Sequence, residues 1–233
     1  MNPSNVNLEF SKYAKHYEQR NVIQNMVVDE LFSHLTTQPK NILDLGCGSG
    51  AIYKKINWKY EQFIGVDFAK GMLDLHPKAS NVSLIYGDFN TQELFDTLQS
   101  YSFDHIFSAS ALQWATNLEN VFMHLQKFNA PISLAIFTSH TFHTLHQTAS
   151  ISSLLRSAKE IEILQKKYFQ EATFEIKKYQ LPFDTTREML RYIKQSGVSG
   201  SRKLLSLKQT KKLLDEYPLS YLEFEVAFIY TKG

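Results

Sequence analysis

A chain of 233 residues, 43% of them hydrophobic, can bury one sizeable core, so the sequence predicts one domain spanning 1–233 rather than a multidomain assembly. No window approaches the roughly 18 apolar residues of a membrane span; residues 1–10 carry no leader pattern, and the single Cys47 excludes an internal disulfide or a thiolate metal site, which together predict a soluble, cytoplasmic protein. The net charge of +2 divides unevenly: residues 1–150 hold 10 Lys/Arg and 13 Asp/Glu, residues 151–233 hold 15 and 10, so a basic second half is expected to face an anionic partner.

Residues 7–36 have helical periodicity in two stripes, Leu8, Phe10, Tyr13, Ala14 and Tyr17, then Val22, Ile23, Met26, Val27, Leu31 and Leu35. Two helices over 1–36 are predicted before the first strand. That strand is Ile42-Leu43-Asp44-Leu45, and it runs into Gly46-Cys47-Gly48-Ser49-Gly50, whose glycines allow a tight turn and close approach of a ligand to the backbone. Gly46, Gly48 and Ala51 also satisfy the dinucleotide fingerprint, with Asp67 about 20 residues on, so the glycines alone leave a nicotinamide dinucleotide open. Asp44 argues against it, because a carboxylate beside the turn suits a cationic ligand better than a pyrophosphate.

Phe63–Asp67 reads as a second buried strand ending in an acid placed for ribose hydroxyls, and Val82–Tyr86 as a third, ending at Gly87-Asp88 with Phe89 beside it. The fourth strand is predicted over Phe103–Phe107, followed by Ser108-Ala109-Ser110-Ala111-Leu112-Gln113-Trp114. A helix over 117–128 capped by Asn117 and a fifth strand over Ile132–Phe137 follow. A helical lid is expected over 138–170. His140, His143 and His146 within it repeat every third residue, but on a helix they spread too far round the axis to share one ion, so no metal is expected. Thr173–Tyr179 alternates as a strand, 184–196 suits a helix capped by Asp184 or Thr185, and 219–230 forms an aromatic final strand.

Asp44-Leu45-Gly46-Cys47-Gly48-Ser49-Gly50 resembles the first motif of the class I methyltransferases that use S-adenosylmethionine. The resemblance implies an α/β Rossmann-like fold, its seven strands mostly parallel in the order 3-2-1-4-5-7-6, with Asp44, Gly46, Cys47, Gly48, Asp67, Phe68, Asp88, Phe89 and Ser108 around the methyl donor and Asp88 on the adenine amino group. Phe68-Ala69-Lys70-Gly71 and Asn129-Ala130-Pro131 depart from the usual Ser-Pro cap and Pro-Gly-Gly turn. Ser108-Ala109-Ser110-Ala111 replaces the Asn-Pro-Pro-Tyr-like sequence of enzymes that methylate base or glutamine amines.

Phe10-Ser11-Lys12-Tyr13-Ala14-Lys15-His16-Tyr17-Glu18, Ser110-Ala111-Leu112-Gln113-Trp114 and Tyr217-Pro218-Leu219-Ser220-Tyr221 are similar to segments of the malonyl-acyl-carrier-protein O-methyltransferases of biotin synthesis. That family implies transfer of a methyl group to the free carboxylate of malonyl thioester on acyl carrier protein, with no nucleic acid or membrane partner. It assigns Arg202 and Tyr17 to substrate positioning, without a general base, and Gln113 and Trp114 to the substrate pocket. Lys194, Arg202, Lys203, Lys208, Lys211 and Lys212, a run with no acid, would meet the acidic carrier protein. Another small carboxylate or hydroxyl acceptor is the nearest alternative; a non-catalytic binding module has no support in three intact strand-end acids.

Overall fold

The computed structural model describes residues 21–195 and 205–231. The helix α1 (Val22–Ser33) precedes the sheet; the aromatic stripe from Leu8 to Tyr17 lies outside the described residues. In chain order come β1 (Asn41–Leu45), α2 (Ala51–Lys55), β2 (Gln62–Asp67), α3 (Lys70–Leu73), β3 (Val82–Tyr86), α4 (Gln92–Leu98), β4 (His105–Ala109), a 3-10 turn (Leu112–Trp114), α5 (Leu118–Gln126) and β5 (Ile132–Phe137). Then follow α6 (His143–Ala149), α7 (Ala158–Tyr168), β6 (Thr173–Pro182), α8 (Thr186–Gln195), α9 (Leu207–Glu216) and β7 (Tyr221–Tyr230).

The sheet order is β3-β2-β1-β4-β5-β7-β6, as the class I resemblance implies. All pairings are parallel except those of β7, which runs antiparallel to β5 and β6. Four of the five β1 residues are buried, because a central parallel strand is covered on both faces. One covering layer packs Phe95 of α4, Val121, Phe122 and Leu125 of α5 and Ile161 of α7. The opposite layer packs Ile23, Val27 and Leu31 of α1, Met189 and Ile193 of α8, and Leu213 of α9.

β4 begins two residues later than the apolar run suggests. Asp104 is not part of the strand: its Oδ2 accepts hydrogen bonds from Lys40 N (3.0 Å) and Asn41 N (2.9 Å), tying the start of β1 to the start of β4. The strand therefore extends through Ser108 and Ala109 to the carboxyl edge. Asn117 caps α5 through its Oδ1 to Asn120 N (3.0 Å), and of the two candidates before α8 it is Thr185 whose Oγ1 accepts from Glu188 N (3.2 Å). A helix absent from the sequence reading, α9, starts at a capping box in which Ser206 and Gln209 satisfy each other's backbone N–H.

The segment 138–170 holds α6 and α7, and both feed the core, Leu145 and Ala149 on one side of the sheet and Ile161 on the other. His140 Nδ1 lies 3.1 Å from Glu225 Oε1, and its ring meets that of His143 edge-on. Among the described residues no group of three or more His, Cys, Asp or Glu is placed to hold a metal ion. No helix of the described residues is long and apolar enough to cross a membrane.

Candidate functional site

The carboxyl ends of β1, β2 and β4 and the loop after β3 converge on one pocket. It is lined by Gly46 and Gly48 after β1, by Asp67, Phe68 and Met72 at the end of β2 and beyond it, by Phe89 after β3, and by Ala109, Ser110, Ala111 and Trp114 at the end of β4 and in the turn after it. The turn after β1 needs its glycines: Gly46 and Gly50 have φ of 82° and 87°, and a Cβ on Gly46 would stand 2.2 Å from Ala111 Cβ. Two backbone N–H groups, of Gly46 and Cys47, both donate to the Val66 carbonyl (2.8 and 2.9 Å), which fixes the loop against β2.

Two carboxylates lie in this region. Asp67 is 8% exposed and both its oxygens are used: Oδ2 accepts from Gly48 N (2.9 Å) and Oδ1 from Ala69 N (2.7 Å). Asp44 is 1% exposed, and neither of its oxygens has a hydrogen-bond partner among the described residues. Burial, then the charge of Asp67, pushes the Asp44 carboxyl well above the usual range. Burying an unpartnered carboxylate costs free energy unless a cation or donor meets it. The donor set therefore suits a ligand with positive charge and hydroxyl groups, and not a pyrophosphate.

The other residues expected around the donor are placed as follows. Phe68 and Phe89 line the pocket with Gly46 and Gly48. Cys47 is 4% exposed and packs its sulfur toward Gly65, where a Cβ would come within 3.0 Å. Burial, Asp44 and Asp67 all push its thiol up, so it fills a tight turn as a small apolar residue and is no nucleophile. Ser108 is fully buried and its hydroxyl donates to the Leu45 carbonyl (2.6 Å), clamping β4 to β1; the pocket wall belongs to the three residues after it. Asp88 is set back from the wall, with its Oδ1 accepting from Asn90 N (2.9 Å) and Asn90 Nδ2 (2.7 Å). Gln113 Nε2 donates to the Ser110 carbonyl (2.6 Å), and Trp114 next to it lines the pocket. Tyr17 and Arg202 lie outside the described residues, as does the side chain of Lys194.

Met72, Ala109, Ser110 and Ala111 also line the pocket, though the sequence does not assign them to it. The turn after β4 owes its course to Ser110, whose φ of 59° no sequence pattern announces. For Met72 a signal existed, since it follows the segment that takes the place of a helix cap after β2.

A methyltransferase domain family matches residues 42–131, the stretch from β1 to the start of β5 that builds this pocket. The sheet order with its antiparallel seventh strand is that of the class I methyltransferases, the S-adenosylmethionine-dependent architecture. Among curated proteins, malonyl-[acyl-carrier protein] O-methyltransferase 2 of Ilyobacter polytropus is 32% identical over 142 residues, 58% of this chain. That match takes in 53% of the Ilyobacter protein, about half its length. The malonyl-[acyl-carrier protein] O-methyltransferase of Halorhodospira halophila is 25% identical over 93% of this chain and 80% of its own. Among solved structures, the plantazolicin methyltransferase BpumL shares the fold with a TM-score of 0.53 at 14% identity, covering 97% of this chain and 96% of that one. A phosphoethanolamine N-methyltransferase of Haemonchus contortus gives a TM-score of 0.51 at 17% identity, over 91% of this chain and 53% of that one.

In this pocket, burial raises the Asp67 carboxyl to about 6 against the opposing pull of the N–H groups of Ala69, Gly48 and Phe68. A carboxyl raised on folding binds its proton more tightly in the folded state, so its contribution to stability is fullest below the unfolded value near 4 and is lost as pH rises through 6. With a shift of about two units the loss is roughly 3 kcal/mol. Ligand-free protein should show it as a fall in unfolding free energy between pH 4 and pH 7 that is smaller in Asp67→Asn, measured by urea titration at both pH values.

Proposed function

We propose that this methyltransferase transfers the methyl group of S-adenosylmethionine to the free carboxylate of malonyl-acyl carrier protein, giving the methyl ester that primes the pimeloyl chain in biotin synthesis. When bound, the donor supplies a methyl carbon made electrophilic by its sulfonium. Asp44 offsets the positive charge of the donor, the N–H-held Asp67 accepts from ribose hydroxyls, and Gly46 and Gly48 let the chain pass close. Phe68 and Phe89 enclose the nucleoside while Asp88 accepts from the adenine amino group; Cys47 and Ser108 support the loop and strand from behind. Tyr17, Gln113, Trp114 and Arg202 position the acceptor, the guanidinium by its bidentate fork. The basic run from Lys194 to Lys212 meets the acidic carrier protein.

The observation that carries this acceptor is that, among the described residues, the pocket wall holds no free proton acceptor. That wall is backbone, aromatic rings, Met72, alanines, a serine and an aspartate whose oxygens already hold two N–H groups. A carboxylic acid is ionised at neutral pH and needs no base, so alignment and exclusion of water suffice. The names of the Ilyobacter and Halorhodospira relatives point to the same acceptor, and Ser108-Ala109-Ser110-Ala111 lacks the groups that hold an amine. The deciding experiment supplies methyl-labelled S-adenosylmethionine and malonyl-acyl carrier protein and looks for a base-labile ester; binding of the donor without label transfer rejects the acceptor.

A second reading has one specific observation behind it. Glu225, 5% exposed, accepts from Thr138 Oγ1 (2.6 Å) and faces His140 Nδ1 (3.1 Å) just past the carboxyl end of β5. A histidine oriented by a buried carboxylate is the equipment a hydroxyl acceptor requires. His140→Ala should leave methylation of a carboxylate acceptor within about threefold, whereas loss of a general base costs about a hundredfold or more; kcat of that variant separates the two acceptor classes.

A further inference from the structure

Resting on the adenine role proposed for Asp88, we infer that Asn90 is a positioning residue that sets the slot between Phe89 and Trp114. Phe89 and Trp114 are both walls of the pocket. In sequence Phe89 stands between Asp88 and Asn90, and Trp114 stands two residues before Thr116. The Asn90 side chain holds both flanks. Its Oδ1 accepts from Thr116 N (2.7 Å) and Thr116 Oγ1 (2.9 Å), while its Nδ2 donates to Asp88 Oδ1 (2.7 Å). The amide cannot sit the other way round, because the Thr116 N–H can only donate and the carboxylate can only accept.

The tie continues along the carboxyl edge of the sheet. Arg156 Nη2 donates to the carbonyls of Ala115 (2.7 Å) and Thr116 (3.1 Å), and the Arg156 carbonyl accepts from Ser139 N (2.8 Å). One polar chain thus links the ends of β3, β4 and β5, and Asn90 is its only side chain that reaches both the acid after β3 and the turn after β4. Aspartate at this position would keep the Thr116 bonds and set a second carboxylate against Asp88. No other residue type of this size donates to one flank and accepts from the other except asparagine itself. The amide fixes the carboxylate that faces the exocyclic amino group and the spacing of the two aromatic walls in one step.

Two ligands test this, S-adenosylhomocysteine and S-inosylhomocysteine, which differ in the amino group that Asp88 would meet. The protein should prefer the adenine ligand by about tenfold, the size of one lost charge-assisted hydrogen bond, and Asn90→Ala should reduce that preference to within about threefold. Calorimetric titration of both ligands reads the ratio, which a purely structural weakening of binding would leave unchanged. A preference retained in Asn90→Ala overturns the inference. If the unaltered protein shows no preference, the adenine role of Asp88 fails instead, and the second arm decides on Asn90. That arm follows Trp114 emission in a Trp58→Phe background, the chain having two tryptophans. S-adenosylhomocysteine should change the emission, and Asn90→Asp, which sets a carboxylate against Asp88 in place of the donating amide, should reduce the change by half or more. An unaltered response in Asn90→Asp overturns the slot, including where Asn90→Ala does not fold.

Discussion

Asp44→Asn is expected to stabilise the ligand-free protein at pH 7.5 and to weaken its affinity for S-adenosylmethionine. The carboxylate is 1% exposed, has no hydrogen-bond partner among the described residues and feels the like charge of Asp67. Its amide isostere removes a buried charge at nearly constant volume, which should return roughly 1–3 kcal/mol, or a rise in melting temperature of about 3–10 °C in a chain of this size. The gain should shrink as pH falls, because a protonated aspartic acid and an asparagine carry the same zero charge. The affinity loss should be about tenfold to hundredfold, the range for a hydrogen bond to a charged group. S-adenosylhomocysteine, which keeps the amino group and lacks the sulfonium, divides the effect: equal losses for both ligands assign Asp44 to the amino group, and a larger loss for the donor assigns it to the sulfonium. Thermal unfolding with and without each ligand reads both terms, and a variant that is less stable and binds normally would refute the role of Asp44.

Such a trade of stability for ligand charge is legible in the sequence as a carboxylate at the end of an apolar run, which is why Asp44, Asp67 and the glycines between them are recognisable without coordinates. The strand order comes from the class I resemblance and not from the apolar runs, of which only the first three are closed by an acid or a glycine. What fails to show is anything decided by contact between distant segments. Asp104 reads as part of β4 because it sits in an apolar run, yet its partners are backbone N–H groups 63 and 64 residues away. Ser108 is placed near the donor by the resemblance alone, and nothing local in the sequence shows that its hydroxyl donates to the Leu45 carbonyl 63 residues away. The helix α9 is obscured by its lysines, although Ser206 and Gln209 stand at capping-box spacing before Leu213, its buried residue. Asn90 carries no motif at all; its importance comes from Thr116, 26 residues further on.

Gly46→Ala is the substitution expected to be most damaging in the pocket, and Gly48→Ala is its control. Both glycines have positive φ, 82° and 53°, so each alanine meets a backbone cost of about 1 kcal/mol. The surroundings then separate them. The new methyl at 46 would overlap Ala111 Cβ at 2.2 Å, whereas nothing lies within 4 Å of the corresponding point at 48. A separation of that size cannot be absorbed by a flexible side chain, because Ala111 has none. Either the loop after β1 gives up the paired N–H bonds of Gly46 and Cys47 to Val66, or the turn after β4 moves and carries Ser110, Ala111 and Trp114 with it. Each route distorts the pocket and together with the overlap should cost about 3–5 kcal/mol, the range of severe core changes. Gly46→Ala should therefore unfold at markedly lower urea and show no thermal shift with S-adenosylhomocysteine. Gly48→Ala should keep its urea midpoint within the shift that about 1 kcal/mol produces while losing affinity, since Gly48 lines the pocket and a methyl there would have no protein neighbour within 4 Å. Equal stability of the two variants would mean that the turn after β4 yields freely, and that the close contact between Gly46 and Ala111 does not hold the two sides of the pocket together.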